Sequence, residues 1–245
     1  MEALGYFIEE NCKYKSWIPV KSYNNGVAIS HLFFVDDLVL FAKADYVNCS
    51  TIRDVLDDFC ARSEQSISES KSRVFLSPNV DVDTRESLCD ILGFRSIPNL
   101  GKYLGCPIKH CGTTNEDLNF VLERVKQKLA SWKANLLSLA SKAVLIQAST
   151  STILAYIMQC MALPKKLLDN IDMVNRNFLC RSTNDAKKVH WVGWHKVTKP
   201  KKEGGLGIQV AKDRNQALLA KLNWRFRMEK DALWVKVLNS KYCSY

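Results

Sequence analysis

The chain has 245 residues, 47% hydrophobic and 24% charged, enough for a sizeable core in one large domain or two small ones. Nine cysteines, an odd count with no Cys-x-x-Cys pair, exclude a disulfide framework and point to reduced thiols in the cytosol or nucleus rather than a secreted product. The formal charge of +10 is uneven: residues 1–120 hold 12 Lys+Arg against 17 Asp+Glu, net −5, and residues 121–245 hold 23 against 8, net +15, the footprint of a polyanion partner.

Met1 opens onto an acidic amphipathic run, so no signal peptide is expected, and Leu4, Phe7 and Ile8 predict a short helix over residues 1–10. Residues 17–21 and 27–34 read as strands around the turn-rich Ser22-Tyr23-Asn24-Asn25-Gly26. A second apolar run, residues 38–43, is a strand separated from the first by Asp36 and Asp37. Residues 48–62 read as a helix with Ile52, Val55, Leu56 and Phe59 inward, capped by Asn48 or Ser50. A strand over 72–76, a helix over 83–92 ended by Gly93, and a strand over 103–109 follow.

After Gly112 the pattern turns helical. A helix opening at Thr114 or Asn115 carries Val121, Leu122, Val125, Leu129 and Trp132 on one side, with Arg124, Lys126, Lys128 and Lys133 on the other. A second helix spans 141–161 and is broken by Pro164; a third runs to Cys180 with Leu167, Ile171, Val174 and Phe178 aligned. The most apolar stretch, residues 144–163, contains Gln147, Gln159 and a Ser-Thr cluster, so it reads as a buried helix and no membrane partner is expected. Residues 184–188 form a basic linker, 191–197 a strand, 199–207 a basic glycine-rich loop, and 213–228 the last helix. His190 and His195 follow Cys180 at distances that fit no zinc pattern.

The apolar stretch from His31 to Ala42 is the chemical focus. Two adjacent carboxylates at the tip of a hairpin repel each other and gain from a shared cation. Hard oxygens suit Mg²⁺, which takes one or two carboxylates and completes its shell with water and phosphate. By themselves these residues leave two readings, a solvated surface turn or a cation site.

Phe34-Val35-Asp36-Asp37 resembles the aromatic-x-Asp-Asp signature of reverse transcriptases, in the form found in plant LINE-type (non-LTR) retrotransposons. Other stretches extend the resemblance in order. Residues 63–72 resemble the block in which a Lys-Ser pair, here Lys71-Ser72, precedes a strand, although Glu64 stands where glycine is usual. Tyr103-Leu104-Gly105 resembles the strand that grips the primer backbone. Ser131-Trp132-Lys133, Leu137 to Lys142, Ala162 to Lys165 and Glu203 to Gly207 also stand in the order of that family. Outside this context Lys71 reads as a surface lysine and residues 103–109 as a plain buried strand.

The resemblance implies an α+β fold: an antiparallel palm-like sheet bearing the Asp-Asp hairpin and packed with helices, then a mostly helical thumb. Residues 1–110 would be the C-terminal half of the palm, 111–183 the thumb and 184–245 a basic post-thumb segment. It implies nucleotidyl transfer by two metal ions, Mg²⁺ or Mn²⁺, with an RNA template, a DNA primer and a dNTP and no other small-molecule cofactor. Asp36 would be the principal metal ligand and Asp37 a weaker one. Lys71 would be a general acid near the leaving pyrophosphate, worth roughly 10²–10⁴-fold in rate. Tyr103, Leu104, Gly105, Lys126, Lys133 and Lys142 would contact nucleic acid, with Gly105 admitting a sugar-phosphate chain. The family's other essential aspartate and its fingers region have no match among these residues, so the chain is expected to be inactive alone. A non-enzymatic basic nucleic-acid-binding protein and a non-functional element relic are the alternatives.

Overall fold

Local chemistry sets several helix limits, and in a computed structural model of the chain, which describes residues 2–23, 26–108, 118–130, 137–180 and 192–243, α-helices starting after Asp45, Asp81 and Ser138 are each capped by that side chain. The chain divides into two units, Met1–Leu100 with Glu229–Tyr245, and Gly101–Met228.

In the first unit, α1 (Glu2–Lys13) buries Leu4 and Ile8, and α2 (Tyr46–Ser63) buries Ile52, Val55, Leu56 and Phe59. Asp45, not Asn48 or Ser50, caps α2: its carboxylate accepts the Asn48 backbone N–H at 2.9 Å. Asn48 is buried instead, its side-chain oxygen accepting from the Ile18 N–H while its amide donates to Asp45. A polar cap of this kind is worth about 1 kcal/mol. α3 (Val82–Leu92) starts from Asp81, which accepts the Thr84 N–H at 2.9 Å, and ends at Gly93 with φ 72°, a left-handed cap that favours glycine. Leu4, Ile8, Trp17, Ile52, Phe59 and Leu88 meet in the core of this unit. Trp17 is wholly buried and its indole N–H donates to the Phe41 carbonyl at 3.0 Å.

The strands are β1 (Val20–Lys21), β2 (Ala28–Ile29), β3 (His31–Phe34), β4 (Asp37–Leu40), β5 (Arg73–Val74) and β6 (Arg95–Ser96). They are shorter than the sequence reading expects, and they do not join into one antiparallel palm-like sheet. Among the described residues they form separate pairs, β1–β2 and β3–β4 antiparallel, β5–β6 parallel. Phe33, Leu38, Leu40, Val74 and Leu76 pack on the helical core, which takes the place of further strands. The broader class, helices mixed with small sheets, is α+β. A helix that the pattern did not reveal, α10 (Leu233–Tyr242), also belongs to this unit; Val235 is buried and Ser240 Oγ lies 3.2 Å from Ser22 Oγ.

In the second unit, β7 (Lys102–Tyr103) and β8 (Cys106–Pro107) form a hairpin where the sequence reading placed a single strand. α4 (Asn119–Ala130), α5 (Leu139–Leu145), α6 (Ser151–Met158), α7 (Lys165–Cys180), α8 (Trp194–Val197) and α9 (Ala211–Met228) follow. α5 and α6 are one helical run joined through a π turn, Ile146–Thr150. Leu118, Val121, Val125, Leu129, Ile157 and Ile171 are among the core residues. Residues 194–197, read as part of a strand, are a helical turn closed by the Thr198 N–H on the Trp194 carbonyl. The predicted helix start at Thr114 or Asn115, Trp132 and the linker 184–188 lie outside the described residues.

Two polar side chains, Asn215 buried and Asp172 half-buried, finish helix ends in this unit. Asn215 donates to the Met158 and Met161 carbonyls at 3.0 Å each and accepts the Leu163 N–H at 2.9 Å, so the chain can leave α6 ahead of Pro164 without orphaned backbone groups. Asp172 on α7 accepts the Ala211 N–H at 3.2 and 3.3 Å, and burial pushes its pKa up to about 6. Among the described residues no helix is long and apolar enough to cross a membrane.

Candidate functional site

The first unit presents Asp36 and Asp37 at a hairpin tip. Phe34 pairs with Asp37, so the loop is Val35-Asp36, and Asp37 opens β4 rather than sharing the turn. Phe33 anchors the hairpin inward, where it packs on the core. Gly5 on α1 admits its ring: a Cβ there would stand 3.3 Å from Phe33 Cε2. Val35 takes φ 53°, a left-handed conformation unfavourable for a β-branched residue and costing about 1–3 kcal/mol. Hairpins with two-residue loops demand positive φ to match strand twist, so ladder and core impose it.

Both carboxylates are exposed, and among the described residues neither side chain has a hydrogen bond or ion pair. No third His, Cys, Asp or Glu of the described residues joins them in a metal-sized group. The donors present are hard oxygens on a fixed support. They fit one hard cation whose remaining positions go to water or phosphate, and they do not make a closed cage. Lys71 is exposed in the turn before β5, its backbone N–H on the Ser68 carbonyl at 3.1 Å. No ion pair or hydrogen bond joins it to Asp36 or Asp37.

The second unit presents another two-residue hairpin. Tyr103 pairs with Cys106 across Leu104 and Gly105, whose φ values of 50° and 81° suit a type I′ turn. Glycine at 105 is therefore explained by backbone twist before any approach of a ligand. The turn is flanked by cations that the sequence reading did not place there. Lys102 Nζ lies 3.7 Å from the Phe120 ring centroid, and Arg124 lies 5.6 Å from the same centroid. Arg124 Nη1 would be 3.9 Å from a Cβ on Gly105. The legible signal was Phe120 and Arg124 four apart on a helix beside the Lys-Tyr strand. Burial pushes up the pKa values of Tyr156 and Cys160, and Cys106 on β8 adds to both rises.

The expected nucleic-acid contacts separate by exposure. Lys126 is on the open side of α4, paired with Glu123 at 2.8 Å. Lys133 lies outside the described residues. Lys142 is corrected: it is 1% exposed, with Nζ 5.7 Å from the Phe178 ring centroid, and presents no ammonium to an external phosphate. Its neighbours Ala143 and Ile146 enter a core with Leu179 and Ile208, and the helix turns Lys142 inward with them.

No known family model matches the chain. Over 122 residues, half of this chain, it is 43% identical to a putative ribonuclease H protein of Arabidopsis thaliana, covering 20% of that protein. Over 88 residues, 36% of this chain, it is 35% identical to an uncharacterized mitochondrial protein of the same plant, covering 57% of it. The chain thus spans less than two thirds of either relative.

Proposed function

We propose that this chain carries part of the reverse transcriptase of a plant LINE-type (non-LTR) retrotransposon, an RNA-directed DNA polymerase. The observation that carries the reading is the aromatic-x-Asp-Asp sequence at the exposed tip of a two-residue hairpin. A relative named for ribonuclease H in a plant agrees with a retroelement setting. In this reading residues 1–110 are the C-terminal half of the palm, 111–183 the thumb and 184–245 the post-thumb segment.

Asp36 and Asp37 would hold Mg²⁺ or Mn²⁺, which when bound would stabilise charge on a transferring phosphoryl group. Lys71, exposed and free of any ion pair among the described residues, would supply a proton to leaving pyrophosphate. The Lys102–Pro107 hairpin and Lys126 would hold the phosphates of an RNA template and DNA primer, and a dNTP would be the substrate. Among the described residues no third carboxylate joins this pair, which leaves a two-ion cage short of a ligand. The 245-residue polypeptide alone is therefore expected to bind primer–template without extending it.

The test is Mn²⁺ titration followed by paramagnetic broadening of backbone amide signals, with primer extension in parallel. Broadening should centre on residues 35–38 and vanish in Asp36→Asn/Asp37→Asn. Primer–template binding with no broadening at the hairpin would favour the second reading, a non-enzymatic nucleic-acid-binding protein. The excess of basic residues in Gly101–Met228, 22 Lys+Arg against 8 Asp+Glu, supports that reading independently. Extension by the polypeptide alone would refute the expectation of inactivity.

A further inference from the structure

The segment joining α8 to α9 carries Lys199, Lys201 and Lys202, and Lys196 stands just before it in α8. All four are exposed. Within residues 192–212 the one acidic residue is Glu203, 3.8 Å from Lys199 with both side chains half exposed, too open a pair to neutralise the group.

The backbone under these lysines is closed upon itself. The Glu203 N–H donates to the Pro200 carbonyl at 2.9 Å, Gly204 to Lys201 at 3.1 Å, Gly205 to Pro200 at 3.2 Å, Leu206 to Val197 at 2.8 Å and Gly207 to Lys199 at 2.9 Å. Gly205 has no room for a side chain, since a Cβ would fall 2.0 Å from the Lys199 carbonyl oxygen. The Gln147 amide, from the π turn, donates to the Leu206 and Gly207 carbonyls at 3.1 Å each. Ile208 beyond them is 2% exposed in the core with Ala143, Ile146 and Leu179.

We infer that this loop is a phosphate-backbone binding surface for nucleic acid, with Lys196, Lys201 and Lys202 as its contacts and Gln147 as its positioning residue. It rests on the nucleic-acid side of the reading above and does not depend on the aspartate hairpin. Four like charges on one short fixed segment lack internal compensation and gain by releasing counterions from a polyanion. With the backbone already ordered, binding must order only the side chains. Lysines here read charge, not base identity. An import receptor that reads an extended basic peptide does not suit these residues, because their backbone is folded into a 3₁₀ turn, Lys201–Glu203, and closed by its own hydrogen bonds.

The test is salt-dependent binding of the whole chain to a fluorescein-labelled RNA–DNA duplex. In Lys196→Gln/Lys201→Gln/Lys202→Gln the slope of log K against log salt should shrink by about 2–3, since each lost phosphate contact removes about 0.9. The Lys→Arg triple should keep the slope. Gln147→Leu should weaken binding at unchanged slope, because it loosens the frame and removes no charge. Equal slopes in the Gln triple and the unaltered chain would overturn the inference, as would absence of duplex binding. A loop effect without Mn²⁺ at the hairpin keeps this surface and removes the polymerase reading; Mn²⁺ at the hairpin without a loop effect does the reverse.

Discussion

The two units carry the same small device, a hairpin with a two-residue loop, and give it opposite chemistry. In Met1–Leu100 with Glu229–Tyr245, 13 Lys+Arg face 17 Asp+Glu, net −4, and the loop Val35-Asp36 leads into Asp37. In Gly101–Met228 the net charge is +14, and the loop Leu104-Gly105 lies between Lys102 and the Arg124 side chain. The backbone solution is shared, because strand twist demands positive φ at the loop. The charge each tip presents is set by the side chains around it: two exposed carboxylates at one, two cations at the other. The left-handed residues differ too. Gly105 accepts φ 81° without strain, whereas Val35 and Leu104 carry Cβ atoms into that region.

The largest blow to the comparison is Trp17→Ala. Emptying a wholly buried indole site should cost the first unit about 3–5 kcal/mol, seen in denaturant unfolding and in earlier amide exchange along α1 and α2. Duplex binding that survives in this variant would show that the basic unit binds by itself. Val35→Gly sharpens the contrast between the loops: relief of left-handed strain, less the entropy of glycine, should raise stability by about 1 kcal/mol in denaturant midpoints.

A pH effect of similar size belongs to the second unit. Asp172 has its pKa raised from 3.8 to about 6 by burial, so the folded state holds the proton more tightly than the unfolded chain. Its contribution is fully present below pH 4 and is lost as pH rises towards 6. Because the group is only half-buried, solvent screening reduces this to about 1 kcal/mol. Asp172→Asn should flatten that part of the stability profile measured between pH 4 and 7. The smallest effect is Leu104→Asn, which makes the loop Asn-Gly, the favoured type I′ pair, and should stabilise the β7–β8 hairpin by roughly 0.5 kcal/mol.

Short-range features were legible. The two apolar runs around Asp36 and Asp37 gave the hairpin and its exposed tip, with an error of one residue in where the turn ends. Gly93 ended α3 as expected, and Leu167, Ile171, Val174 and Phe178 marked the inward side of α7. The charge division followed from counting. Each of these depends on residues within a turn or two of one another, where cap, turn and periodicity chemistry acts.

Other features depended on partners far along the chain. A strand pattern over residues 103–109 concealed a turn, since Leu104 gives no hint of φ 50° until a ladder closes around it. Lys142 has the composition of a phosphate contact, yet its helix is rotated by the core that Ala143 and Ile146 share with Ile208. The basic loop was visible as lysines and glycines, but its rigidity comes from Gln147 reaching Leu206 and Gly207. Sequence alone thus determined which charges and turns this protein possesses. Tertiary packing decided which of those charges face solvent and which backbone is fixed beneath them, because burial and long-range hydrogen bonds are properties of neighbours that only folding brings together.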